Sequence, residues 1–207
     1  MIPEEDKAEQ IITLFQGLYG DIKWWPGDTE EVIIGAVLTQ QTRWTNVETA
    51  LERLREAGIC SLRGIEDAPD CAVEEAIYST GFYRIKRARL KCVASAVLSC
   101  GGTGKLDEYP TPQLRAFFLA IKGVGPETAD SILCYGFNRP VFVIDAYTHK
   151  ICACAGISLK GADLQAIFCH LLPKDNLAHR QCHAWFVEYA KNYCFKKRCK
   201  ECMIPNF

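Results

Sequence analysis

No apolar stretch of this 207-residue sequence reaches the roughly 18–20 residues that a membrane-spanning helix needs. The first ten residues, MIPEEDKAEQ, lack the positive charge and apolar core of a secretory signal, so an intracellular, cytoplasmic protein is expected. Charge of one sign is lacking too: 24 Lys and Arg stand against 25 Asp and Glu, for a net charge of -1. That balance counts against nucleic-acid binding through a uniformly basic domain. There are no internal repeats or low-complexity segments, and 49% apolar with 24% charged residues excludes a disordered chain. Strand signals are nearly absent. The single strand-like run, Val141–Ile144, is too isolated to make a sheet.

What is present is helical periodicity. Ile11, Ile12, Phe15, Leu18 and Tyr19 follow the spacing of one helix face, as do Val32, Ile33, Ala36 and Val37, with Gln40 and Gln41 a turn on. The same pattern predicts helices over 46–57, 72–79, 84–99, 111–121, 126–136, 145–155, 163–172 and 179–193. Gly and Pro break the pattern at Pro26-Gly27, Gly58, Gly81, Gly101-Gly102, Gly123–Gly125 and Gly156. Asp28 and Thr29 suit an N-cap before Glu30-Glu31, and Thr111-Pro112 opens another helix. The fold class predicted is all-α, built of many short helices.

Charge is patterned locally although it cancels overall. Tyr83–Lys91 and Lys196–Lys200 are basic and read as solvated helix faces or as contacts to an acidic partner, while acidic residues gather at 4–9 and 66–75. Of the twelve cysteines, Cys60, Cys92, Cys100, Cys134, Cys152, Cys154 and Cys169 lie among apolar residues and read as small core residues. Without a secretory signal, a disulfide framework is not expected.

Two features carry chemistry. In Ile121-Lys122-Gly123-Val124-Gly125-Pro126-Glu127-Thr128 a helix ends, turns on glycines that allow positive φ and close backbone approach, and restarts on a proline suited to a first helical position. Such a turn is an ordinary helix connection, or a helix N-terminus whose free N–H groups receive an anion such as phosphate. Asp145, following Val141-Phe142-Val143-Ile144, reads first as the N-cap of the next helix.

Taken together, the run IKGVGPETADSIL followed by NRPVFVIDAYTHKI resembles the helix-hairpin-helix and Gly/Pro-rich loop with aspartate of the endonuclease III superfamily of DNA glycosylases. VIIGAVLTQQTRWTNVETAL at 32–51, GFYRIKRARL at 81–90 and HAWFVEYAKNYC at 183–194 extend the resemblance over nearly the whole chain, in the family's order. It implies two helical lobes with a DNA cleft between them. One lobe would span 22–136 and hold the hairpin. The other would combine 1–21 with 137–207 and carry the Cys-rich loop. It also implies a double-stranded DNA partner bearing a damaged base, a monomeric protein and no membrane.

The resemblance places Asp145 at the family's catalytic carboxylate, and Gln41, Lys122, Gly123, Val124, Gly125 and Thr128 on DNA, with Gln41 entering the space that a flipped base leaves. A fixed carboxylate suits the work, because breaking an N-glycosidic bond builds positive charge on the sugar. Glu127 departs from members that also cut the backbone, which carry a lysine there, so no lyase activity is expected. On their own, Trp24, Trp25 and Trp44 read as core aromatics, the first two beside the break at Pro26. The match to endonuclease III-type 3-methyladenine DNA glycosylases makes all four a base pocket, with 7-methylguanine a secondary substrate. A glycosylase removing thymine or uracil opposite guanine, and a non-catalytic hairpin module, remain the alternatives.

Cys194, Cys199 and Cys202 resemble part of the family's [4Fe–4S] loop. The first gap is two residues short of the family's, and a fourth cysteine at the usual spacing would fall after Phe207; spacing supports neither Cys182 nor an exogenous ligand as the fourth, and the alternatives are a degenerate loop with no cluster or adventitious zinc.

Overall fold

A computed structural model describes residues 2–23 and 27–204. The chain divides into two compact units, Pro26–Phe137 and Met1–Trp25 with Asn138–Phe207. Among the described residues there are twelve α-helices and no strand, and no helix is long and apolar enough to cross a membrane.

The unit spanning Pro26–Phe137 is organised around α2 (Thr29–Leu38), in which every residue from Val32 to Leu38 is buried. A helix apolar on all sides belongs inside a core, and α2 packs against α3 (Trp44–Glu56), α6 (Tyr83–Ser99), α9 (Pro126–Ser131) and the wide turn 132–136 that continues α9. Its start is fastened twice. Asp28 Oδ1 accepts from the Glu31 N–H at 2.9 Å, and Thr29 Oγ1 donates to Gly136 O at 3.0 Å. The remaining helices of this unit are α4 (Leu62–Asp67), α5 (Asp70–Ile77), α7 (Thr103–Asp107) and α8 (Thr111–Leu119). The bidentate pair between Arg115 and Asp130 (2.6 and 3.1 Å) joins α8 to α9, the two helices of the hairpin.

The other unit packs α1 (Glu4–Tyr19), α10 (Ala146–Cys154), α11 (Gly161–Leu171) and α12 (Asn176–Tyr189) around an aromatic core. Phe15 stacks on Tyr189 at 4.6 Å and meets Phe186 edge-on at 5.0 Å, while Phe142 stacks on Phe168 at 4.4 Å. Ile22, expected with the first unit, belongs here: its N–H donates to Gln181 Oε1 and its carbonyl accepts from Gln181 Nε2, both at 2.8 Å. Phe137 moves the other way, with its ring 5.8 Å from that of Phe118.

Candidate active site

Val141–Ile144 has no regular secondary structure and no strand partner among the described residues. Its apolar residues make it a buried arm rather than a sheet strand: Phe142 and Val143 are sealed in the core, and Gln165 Nε2 donates to Phe142 O at 2.7 Å. The arm delivers Asp145, 8% exposed, to the start of α10. There Oδ1 accepts from the Thr148 backbone N–H at 2.7 Å and from Thr148 Oγ1 at 2.8 Å, which makes Asp145 the N-cap. Oδ2 lies 3.5 Å from His183 Nε2 of α12. Burial acts to raise the carboxyl's pKa, but His183 and the two Thr148 bonds outweigh it and hold Asp145 below its ordinary value. The group is therefore a fixed anion at neutral pH. The neighbouring Cys152 thiol goes the other way: burial, then the Asp145 charge, push it up to about 12. His183 was not distinguished by sequence. It belongs to a helical run quoted above, and nothing local signals that it meets Asp145.

In the other unit, α2 ends at Leu38 and the chain turns through Thr39–Thr42, where the Thr42 N–H donates to Thr39 O at 3.2 Å. Gln41 is exposed, with φ at +55°. Gln40 turns inward. Its Nε2 donates to Gly123 O and to Thr128 Oγ1, both at 3.0 Å, and its Oε1 accepts from Arg89 Nη1. The hairpin turn closes with the Val124 N–H on Ile121 O at 3.1 Å. Only Gly123 has positive φ, at +93°, and a Cβ there would sit 2.6 Å from Arg89 Cγ. Gly125 has ordinary extended backbone (φ −95°) and open space where a Cβ would go. Lys122 is exposed, and Val124 is buried and offers only its backbone. Thr128, expected on DNA, has its hydroxyl on Gln40. Glu127 is exposed in the first turn of α9.

Lys86 is another residue that sequence did not single out. It is 1% exposed, and its Nζ donates to Leu38 O at 2.9 Å and Thr80 O at 2.8 Å, capping the end of α2. Burial, then the Arg89 charge, lower its pKa to about 8. Trp44 begins α3 and is half-buried; Trp24, Trp25 and Pro26 lie outside the described residues.

The cysteine tail does not assemble a donor set. Among the described residues no three His, Cys, Asp or Glu side chains form a group that could hold a metal ion. The Cys202 thiol is 3.3 Å from Tyr189 OH, and Cys199 is exposed. Cys182 is wholly buried in the core of its unit, where burial and then Cys152 push its thiol well up. As they stand, the described thiols do not gather into the four-thiolate set that an iron–sulfur cluster needs.

Comparison with known proteins matches residues 34–165 to the HhH-GPD superfamily of base excision DNA repair proteins. A Methanocaldococcus jannaschii protein, provisionally named a DNA repair glycosylase, is 38% identical over 99% of this chain and 98% of its own length. The crystal structure of H. pylori 3-methyladenine DNA glycosylase bound to 1,N6-ethenoadenine superposes with a TM-score of 0.77 at 26% identity, covering 92% of this chain and 98% of that one. A non-covalent endonuclease III–DNA complex shares the fold, with a TM-score of 0.82 at 17% identity over 100% of this chain and 95% of that one.

Proposed function

This chain belongs to the HhH-GPD superfamily of base excision DNA repair proteins, and from that premise we propose that it is a monofunctional DNA glycosylase releasing alkylated purines, 3-methyladenine first and 7-methylguanine second. The observation that carries the reading is Asp145, a buried carboxylate held ionised, with Oδ1 bound by Thr148 and Oδ2 facing His183. The substrate assignment draws on the likeness to the H. pylori 3-methyladenine enzyme and on Trp24, Trp25, Pro26 and Trp44 as the pocket.

The damaged base would leave the stack with Gln41 in its place, and stack on aromatic faces worth about 1–3 kcal/mol per base. Alkylation at N3 or N7 makes the purine cationic, so aromatic faces attract it and it departs as a neutral base. The bond from the sugar C1′ to the base nitrogen breaks with its electron pair going to the base, leaving positive charge on the sugar. Asp145 stabilises that cation. A water oxygen then bonds C1′, and its proton passes to the carboxylate and on to solvent. Because Asp145 is held below its ordinary pKa, its standing charge contributes more than its basicity.

Glu127 has no amine with which to attack the sugar, so the product is an intact strand with an abasic site. DNA is the partner on this reading, gripped by the backbone around Gly123–Gly125 and by Lys122, with the protein acting as a monomer. A [4Fe–4S] cluster plays no part in these steps, and iron analysis of the purified protein tests for one. The deciding experiment is release of free base from N-methylated duplex DNA beside G·T and G·U duplexes. Methylpurine release with no borohydride-trapped protein–DNA adduct is expected. Excision from the mismatches alone would replace the substrate assignment, and a trapped adduct would overturn the monofunctional one.

A further inference from the structure

Gln40 spends both ends of its amide on elements remote in sequence, although α2 has already ended and its own backbone asks nothing of that side chain. It joins α6, through Arg89, to the hairpin, through Gly123 O and Thr128 Oγ1. Gly123 is what permits this, since a Cβ there would collide with the stem of Arg89. The next residue, Gln41, is exposed and left-handed (φ +55°), a conformation that a non-glycine residue keeps only where its surroundings over-determine it. Those surroundings are all in place. Gln40 is tied on one side, and Asn46 Nδ2 donates to Thr42 Oγ1 at 3.1 Å on the other. Lys86, one turn before Arg89 on α6, holds the carbonyl that closes α2.

We propose that Gln40 and Arg89 are positioning residues that couple the hairpin to Gln41, so that seating a backbone phosphate on the hairpin and inserting Gln41 into the duplex proceed as one step. The inference rests on the glycosylase reading, because it needs a protein that extrudes a base. The coupling confers an order: a hairpin not in place leaves Gln41 free to relax, which suppresses futile probing of DNA that is not held.

The test uses a duplex with 2-aminopurine beside a tetrahydrofuran abasic analogue. The fluorescence rise on unstacking is followed at saturating protein, so that affinity drops out. Gln40→Ala is expected to slow the rise about three- to tenfold, the worth of one or two hydrogen bonds, and Arg89→Met, which keeps the packed stem, to slow it less. The decisive readout is the double variant: with Gln41→Ala already present, adding Gln40→Ala should cost nothing more. Arg89→Met in the Gln41→Ala background gives the same reading if Gln40→Ala does not fold. Multiplicative losses, or an unchanged rate in Gln40→Ala, would overturn the coupling alone. A wild-type protein that binds the duplex yet leaves 2-aminopurine dark would overturn the glycosylase reading together with it.

Discussion

Asp145 and the hairpin junction are two small polar sites held in opposite ways. One oxygen of Asp145 is fixed from within its own helix, by a residue three positions on, and the other faces a single histidine. The junction is held by side chains from α6 and from the turn after α2, meeting a loop far along the chain. The first is anchored within its own helix, with His183 of α12 facing its second oxygen, and it positions one charge. A distributed device is set only when the whole unit has folded, and it positions a segment of backbone.

That contrast can be broken most forcefully at Asp145. Replacing it with Asn should lower base release by about 10²–10³-fold, the worth of one electrostatic stabiliser. Stability should hardly change, because Asn caps a helix as well as Asp. Denaturant unfolding beside the excision assay separates the two effects, and a variant that unfolds instead would make Asp145 a structural residue first. The junction should respond in the reverse sense. Lys86→Met strands the carbonyls of Leu38 and Thr80 and should cost about 1–3 kcal/mol in urea unfolding.

The glycines sharpen the comparison further. Gly123→Ala meets both positive φ and the Arg89 stem, and should destabilise by at least about 1 kcal/mol. Gly125→Ala should leave stability within about 0.5 kcal/mol and still weaken binding of duplex DNA, since its space is open to a ligand. Equal DNA affinity in Gly125→Ala and wild type would remove the hairpin from the phosphate grip.

The smallest effect is a pH drift. The folded value of Lys86 is about 8 against an ordinary lysine value of 10.5, so the cost of burying its charge is present in full below pH 8. Between those values the unfolded chain binds the proton that the folded one has released, and stability relative to Lys86→Met should rise with pH. Urea midpoints at pH 7.5 and 9.5 measure it. A falling difference would mean that the ammonium is better solvated than its burial implies.

The long helices were legible because their apolar residues repeat, and so was the cap at Asp28, whose carboxylate and following glutamates announce a helix start. Helices α4 and α7, of 6 and 5 residues, were not placed, being too short for a face to repeat. Helix α12 begins at Asn176, three residues ahead of the periodicity, because Asp175 caps it by accepting from the Ala178 N–H at 2.9 Å. Asp145 was readable as a cap, since capping is local grammar. Gln40, Arg89, Lys86 and His183 acquire their meaning from partners brought near by folding, and neighbouring letters carry no trace of it.

Helix α2 has one more consequence. It is buried from Val32 to Leu38, fastened at its start by Thr29 on Gly136 and at its end by Lys86 on Leu38. Ten residues at about 1.5 Å each make a strut of about 15 Å that, packed this tightly, moves only as a unit. A disturbance at its far end, such as a side chain added at Gly136 against Val32 Cγ1 at 3.3 Å, would therefore reach Gln41 as a displacement of the whole rod rather than dissipate on the way.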